Sequence, residues 1–334
     1  MLQCGPVDAP GSTPPAVDTN NLLWDPARGR ESGSDVSVQA SKLAWPNPGM
    51  AEYVVIAGEC AYADALVSTS LAAKGPLLLT DPTKLEDTVK HEIVRLGVKK
   101  IYIVGGEQAI TPAVADALKA LGVEVERISG ETRLGTAKRL AQTMSTKPGT
   151  PVIIARGYPA DGGTPSQAFA DAMAAAYYSP HQQSPIALSE TTKLSSDVAQ
   201  LLGAVKPAQV TVMGGHAALF EGMEQAVRSA VGTEIPVNRI AGVTRADTAA
   251  KLARAQISAG KANGVLVIEG QADDAWKVGY TFAGLAVKTN SVYALASGDD
   301  LAPETIALIK EAKAKNLPVR CVANTKACVL ANSL

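Results

Sequence analysis

"VERISGETRLGTA" (residues 125–137) and "VNRIAGVTRADTA" (residues 237–249) are two copies of one phrase. In each, an Arg (Arg127, Arg239) is followed by Gly three residues on (Gly130, Gly242), a second Arg six on (Arg133, Arg245), Thr nine on (Thr136, Thr248) and Ala ten on. The copies stand 112 residues apart, and two further markers move with them. Gly-Gly closes an apolar run in "IYIVGG" (Gly105, Gly106) and again in "VTVMGG" (Gly214, Gly215), a step of 109. "ADAL" (63–66) returns as "ADAM" (170–173), a step of 107. Three markers with nearly one period identify a tandem repeat.

A worn third copy completes the body. "RESGSDVSVQA" (30–40) places Arg30, Gly33, Gln39 and Ala40 at the phrase's offsets, with Val36 where the second Arg belongs. "DDAW" (273–276) offers Asp274 as its acid, and "VRCVAN" (319–324) has Ala323 and Asn324 in place of the glycines. The chain divides into a flexible tether (1–27), module 1 (28–126), module 2 (127–238) and a degenerate module 3 (239–334).

Within a unit the periodicity alternates. "YVVIAG", "PLLLT", "KKIYIVGG" and "VEVERI" are short apolar runs, as in strands buried on both faces. Between them lie helical stretches. One, over 85–97, aligns Leu85, Val89, Ile93 and Leu96 and closes on Gly97. Another, over 111–122, opens with Thr111 as N-cap and Pro112 at its first position. This order predicts an α/β fold of three small tandem modules, each with a mostly parallel sheet flanked by helices.

Bulk properties narrow the function. A net charge of −1 over 334 residues argues against nucleic acid as a partner. No apolar run approaches the roughly 20 residues that span a bilayer. Aromatic content of 4% disfavours a lectin-like site of stacked rings. The four cysteines (Cys4, Cys60, Cys321, Cys328) form no CxxC pair, and no metal site is expected. Cys321 and Cys328 fit either a local disulfide of an exported protein or two buried thiols. Cys4-Gly5 followed by a Pro/Ser/Thr-rich stretch is either an ordinary disordered start or a lipidated N-terminus that holds the body near a membrane. His91, His181 and His216 occupy unrelated places in the repeat, no G-x-S-x-G or H-E-x-x-H occurs, and neither catalysis nor a cofactor is expected.

The repeated residues each support two readings. Asp64, Asp171 and Asp274 stand near the start of a helix, where a carboxylate meets free N–H groups, pairs with an arginine, or contacts a ligand. Arg133 and Arg245 lie in the first turn of a helix, an unfavourable place for a cation, so each needs an acid or an external anion. The Gly-Gly turns close strands at the sheet edge where α/β proteins take ligands, and they also suit a turn with positive φ.

Together these phrases resemble the cell wall binding repeat 2 family of Gram-positive bacteria. The family pattern is an Asp-Ala-Leu helix, an apolar strand, Gly-Gly, a helix and Arg-Ile-x-Gly-x-x-Arg-x-x-Thr-Ala. The resemblance covers nearly everything after about residue 28, strongly in two copies and weakly in the third. It implies three modules around a pseudo-threefold axis; a monomer is expected. It also implies an extracellular protein, at the cell wall or the outer face of the membrane, held non-covalently to an anionic glycopolymer. The family positions are Asp64, Gly105, Gly106, Arg127, Gly130, Arg133 and Thr136, and Asp171, Gly214, Gly215, Arg239, Gly242, Arg245 and Thr248. The competing readings are a hydrolase-like envelope enzyme with a small-molecule site between modules, and a scaffold that binds another envelope protein.

Overall fold

The structure, a computed structural model, describes residues 32–144, 147–159, 163–232 and 234–334. The expected tether, with Cys4, and Arg30 lie outside the described residues.

Module 1 runs α1 (Gly33–Ala44), β1 (Val54–Gly58), α2 (Tyr62–Ser68), β2 (Leu77–Thr80), α3 (Asp87–Leu96), β3 (Lys100–Val104), α4 (Pro112–Lys119) and β4 (Glu124–Ile128). Module 2 runs α5 (Arg133–Thr143), β5 (Val152–Arg156), α6 (Pro165–Phe169), α7 (Ala172–Gln182), β6 (Ile186–Ser189), α8 (Ser196–Val205), β7 (Val210–Met213), α9 (Met223–Val231) and β8 (Val237–Ile240). Module 3 runs α10 (Arg245–Ser258), β9 (Gly264–Glu269), α11 (Ala275–Thr281), α12 (Ala283–Lys288), β10 (Ser291–Ser297), β11 (Asp300–Leu301), α13 (Pro303–Ala314), β12 (Val319–Val322) and α14 (Thr325–Ser333).

Each module contributes one four-stranded sheet, ordered β2-β1-β3-β4, β6-β5-β7-β8 and β11-β10-β9-β12. Every pairing is parallel except that of β10 with the two-residue β11. The first three strands of modules 1 and 2 are largely buried, as sheets covered by helices on both faces require. Module 3 has no strand in the place of β4 and β8 among the described residues, so β12 is an edge.

Local chemistry sets the helix ends. Ser32, Thr132, Ser195 and Thr244 accept the backbone N–H three residues on and start α1, α5, α8 and α10. Gly97 ends α3 in the left-handed region at φ 68°. Thr111 stands at the N-cap position of α4, but its buried hydroxyl makes no capping bond, contrary to expectation.

The caps also correct the register of the worn phrase. Ser32 is the counterpart of Thr132 and Thr244, so Gly33 stands where Arg133 and Arg245 stand, and Val36 stands where Thr136 and Thr248 stand. Arg30 and Gly33 suggested a register three residues different, because spacing alone does not locate a helix start.

The modules interlock as a ring. Helix α5 packs on β6 and α8 of its own sheet and on α2 of module 1; α10 packs on β10 and α13 and on α7 of module 2; α1 packs on β2 and α3 and on α11 of module 3. The repeated phrase is therefore shared: its first Arg ends a strand of one sheet, and its second opens a helix laid on the next. The repeat phase at 127 and 239 and the change of sheet differ by these few residues. One apolar cluster runs through all three modules and includes Ile56, Tyr177 and Tyr293, and a smaller one fills the outer part of module 2 around Ile154, Leu202 and Met223. Cys321 and Cys328 are joined, with Cα atoms 5.6 Å apart, tying β12 to α14.

Candidate functional site

The phrase repeats because each of its residues closes one bond in the hand-over between modules. Gly130 donates its N–H to Thr136 Oγ1 at 3.0 Å, and Gly242 donates to Thr248 Oγ1 at 2.9 Å. The approach leaves no room for a side chain: a Cβ at Gly130 or Gly242 would meet the first-turn backbone of α5 or α10 at 2.4 or 2.3 Å.

The first arginines brace the Gly-Gly turns. Arg127 Nη1 donates to Gly105 O (2.8 Å) and Nη2 to Ile110 O (2.9 Å). Arg239 Nη1 donates to Gly214 O (2.8 Å) and Leu219 O (2.9 Å). The Arg239 Nη2–Glu224 ion pair at 2.6 Å takes the charge, and this hydrogen bond holds the Glu224 carboxyl below its usual range. Gly105 and Gly214 need their glycines twice over. Their φ values are 116° and 109°, and a Cβ would lie 2.7 Å from the carboxylate of Asp64 or Asp171. Gly106 and Gly215 follow them in the open, with no atom close enough to forbid a side chain.

The second arginines cross the seams. Arg133 Nη1 donates to Gly157 O at 2.9 Å and to the Tyr62 hydroxyl, and its guanidinium lies between the Tyr62 and Tyr158 rings at 5.0 and 4.7 Å. Arg245 Nη1 donates to Gly270 O at 2.8 Å, and its guanidinium stands 6.0 Å from the Phe169 ring. Each is half-buried and retains donors with no partner among the described residues, namely Nε and Nη2 of Arg133 and Nε of Arg245.

Asp64 and Asp171 face the same seams. Asp171 Oδ1 accepts the Thr248 hydroxyl at 2.7 Å. Burial raises the Asp171 carboxyl above its usual range, opposed by that hydrogen bond and by the charges of Arg245 and Arg156. Burial raises Asp64 to about 6, opposed by Arg133. Neither carboxylate comes within ion-pair distance of its arginine among the described contacts; the seam pairs act through space.

The third seam reverses this polarity. Asp274 is exposed at the start of α11 and is not the counterpart of Asp64, contrary to expectation. Lys277 takes that place: the Ser68 hydroxyl donates to Asp64 O, and the Thr281 hydroxyl donates to Lys277 O in the same way. Across from it, where an arginine stands in the other seams, Gly33 donates its N–H to Glu59 Oε2 at 3.1 Å. Burial raises the Glu59 carboxyl, and Lys277 is the main charge opposing this. The acid now belongs to module 1 and the cation to module 3. Repeat spacing could not show this, because Glu59 and Lys277 occur once and fall outside the phrase.

Sequence reasoning also missed Arg156 and the cleft beside it. The buried Arg156 ends β5, and its Nε donates to Tyr158 O (2.6 Å) and Thr191 Oγ1 (3.1 Å). Tyr158 and Thr191 line a cleft of about 620 Å³ at the C-terminal edge of the second sheet, together with Leu134, Thr192, Ser195 and Ser196. The histidines do not gather there: His181 is packed against Tyr177, and His216 is exposed after the second Gly-Gly. No group of three or more metal-ligating side chains forms among the described residues, and no helix there is long and apolar enough to cross a membrane.

Comparison with known proteins places this geometry. The sequence profile of Cell wall binding domain 2 (CWB2) matches residues 30–115 and 127–224. The chain is 28% identical over 236 residues to N-acetylmuramoyl-L-alanine amidase LytC of Bacillus subtilis (strain 168), covering 69% of this chain and 43% of that protein. It is 28% identical over 221 residues to the Amidase enhancer of the same organism, covering 65% and 28%. The chain thus spans less than half the length of these curated relatives. Among solved structures it resembles Cwp8 from Clostridium difficile, with a TM-score of 0.79 and 25% identity over 93% of this chain and 50% of that one. Cwp6 from the same organism gives a TM-score of 0.73 at 18% identity, covering 94% and 47%, a likeness of fold.

Proposed function

Because the chain belongs to the Cell wall binding domain 2 (CWB2) family, we propose that it is a non-catalytic envelope protein that holds an anionic cell-wall glycopolymer at the seams between its modules. The observation that carries this reading is the state of Arg133 and Arg245. Each is anchored through Nη1 to a strand-end carbonyl, so its position is fixed, and each keeps guanidinium donors at a seam that have no partner among the described residues. A pre-positioned guanidinium binds phosphate or carboxylate without first having to be ordered. Arg127 and Arg239 serve the ligand indirectly by fixing the turns, as do the glycines beneath them. Asp64 and Asp171 face the seam arginines through space and offset part of their charge.

Contacts at half-exposed arginines are screened by salt. Purified protein is expected to stay on cell-wall fractions at low ionic strength and to wash off as salt rises. It is expected to lose retention when anionic polymers are stripped chemically from the same fractions. Equal retention on stripped and intact walls would overturn the proposal and favour peptidoglycan or a wall protein as the partner.

A further inference from the structure

The three central strand ends differ in chemistry. Pairing register aligns Gly58, Arg156 and Glu269 as the last residues of β1, β5 and β9. Glu59, Gly157 and Gly270 follow them, each donating its N–H to the neighbouring strand's carbonyl at Thr80, Ser189 or Ala296. In module 3 the Glu269 carboxylate folds back over this end and accepts the N–H groups of Gln271 (2.6 Å), Ala272 (3.2 Å) and Gly298 (3.0 Å). In module 1 the Glu59 carboxylate lies there, on the Gly33 N–H. Both modules thus carry an anion of their own at the strand end. Module 2 has Gly157 and Arg156 in those two positions and supplies a cation instead.

That cation is incompletely satisfied. Arg156 is 8% exposed; its Nη1 reaches Gln167 O only at 3.5 Å, and its Nη2 is buried with no partner among the described residues. Asp171 acts on it through space, but no carboxylate makes an ion pair with it among the described residues. A buried, unpaired guanidinium is costly, and a nearby anion relieves that cost. The cleft in front of it remains open. Two acids line it, and each is paired with a lysine, Glu190 with Lys193 at 3.2 Å and Asp197 with Lys138 at 2.5 Å; Arg156 stands behind the lining, bonded to Tyr158 O and Thr191 Oγ1. Arg133 lies over the Tyr158 ring beside it. Modules 1 and 3 have no counterpart to this ring: Cys60 and Gln271 stand in its place.

We propose that the cleft of module 2 binds one sugar unit bearing a single carboxylate or phosphate, and that the chain has one such site, not three. The sugar ring lies against Tyr158, its hydroxyls meet Thr192 and Ser196, and the anion sits by Arg133 with the Arg156 charge behind the wall. This assignment rests on the polymer-binding reading above and adds to it a sugar subsite in module 2, beside the Arg133 seam.

The test is titration of the full chain with glucose 1-phosphate, glucuronate and glucose, followed by backbone NMR and calorimetry. At least one anionic sugar is expected to bind at one per chain and to shift Leu134, Tyr158 and residues 191–196. Glucose is expected to bind about tenfold more weakly or worse, as loss of a charge-assisted hydrogen bond implies. Whichever of phosphate and carboxylate binds names the anion. Arg156→Glu, which writes the module 3 residue into module 2, is expected to abolish binding. Tyr158→Ala alters only a half-exposed ring, is expected to weaken binding about tenfold, and serves if Arg156→Glu does not fold. No shift with either anionic sugar, equal shifts in all three modules, or equal binding of glucose would each overturn the proposal. Polymer-dependent wall retention alongside an unresponsive cleft would remove the cleft assignment and leave the broader reading standing; loss of both would remove both.

Discussion

At the scale of single residues, the seam acids make a counter-intuitive prediction. The folded Asp64 carboxyl, raised to about 6 by burial, lies above the roughly 3.9 of an unfolded aspartate. The folded protein therefore holds this proton more tightly than the unfolded chain. The stability it brings is complete below about pH 4 and is lost as pH rises through 6. The loss is on the order of 3 kcal/mol. Asp171 and Glu59 are shifted the same way. Asp64→Asn is expected to melt no lower than the wild type at pH 7, with a flatter stability profile between pH 4 and 7. A variant clearly less stable at pH 7 would show that the Asp64 charge holds the seam through Arg133. Much at this scale was legible in the sequence: the Gly and Thr of the phrase, the Gly-Gly turns and the repeated arginines all occupy repeated structural positions. Residues that act once were not legible. Arg156, Glu59, Glu269 and Lys277 carry no periodic signal, and only pairing register brings them to one edge.

Between elements, magnitudes decide what holds the seams. A buried apolar side chain contributes roughly 1.5–3 kcal/mol, whereas an exposed ion pair contributes at most about 1 kcal/mol. Contacts such as Tyr62 on Phe169 and Trp45 on Gly284 therefore supply the cohesion, and the charges set which helix faces which. Two glycines at the seams of module 3 test this. A Cβ at Gly284 in α12 would lie 2.2 Å from the rigid, fully buried Trp45 ring, while one at Gly279 in α11 would meet the flexible end of Met173 at 2.4 Å. Helix propensity favours Ala by about 1 kcal/mol at both positions. Gly279→Ala is expected to be near neutral because the thioether gives way. Gly284→Ala is expected to destabilise by about 2 kcal/mol, read from denaturant midpoints. Equal midpoints would mean that Trp45 does not fix the closing seam. The alternation of strands and helices was readable from hydrophobic pattern. The start of α1 was not, because a hydroxyl cap and not the phrase's spacing defines it, and the Asp273–Asp274 pair drew attention to an exposed acid in place of Lys277.

For the whole molecule, the repeat period disclosed three modules but not how the ring closes. Two seams use an acid on the leading module and an arginine on the following one; the third inverts the order with Glu59 and Lys277. A ring with one inverted seam has a defined first and last module, and a helix from the wrong module would bring like charges together. The central apolar cluster draws on all three modules, so no module holds a complete core apart from its neighbours. The most direct test of this interlocked body is native-state hydrogen exchange of the full chain at increasing denaturant, followed strand by strand. The central strands β1, β5 and β9 are predicted to lose protection together, at one denaturant concentration and with one free energy of opening. Loss in three separate steps, one per sheet, would contradict the account and reduce the chain to independent modules on a string.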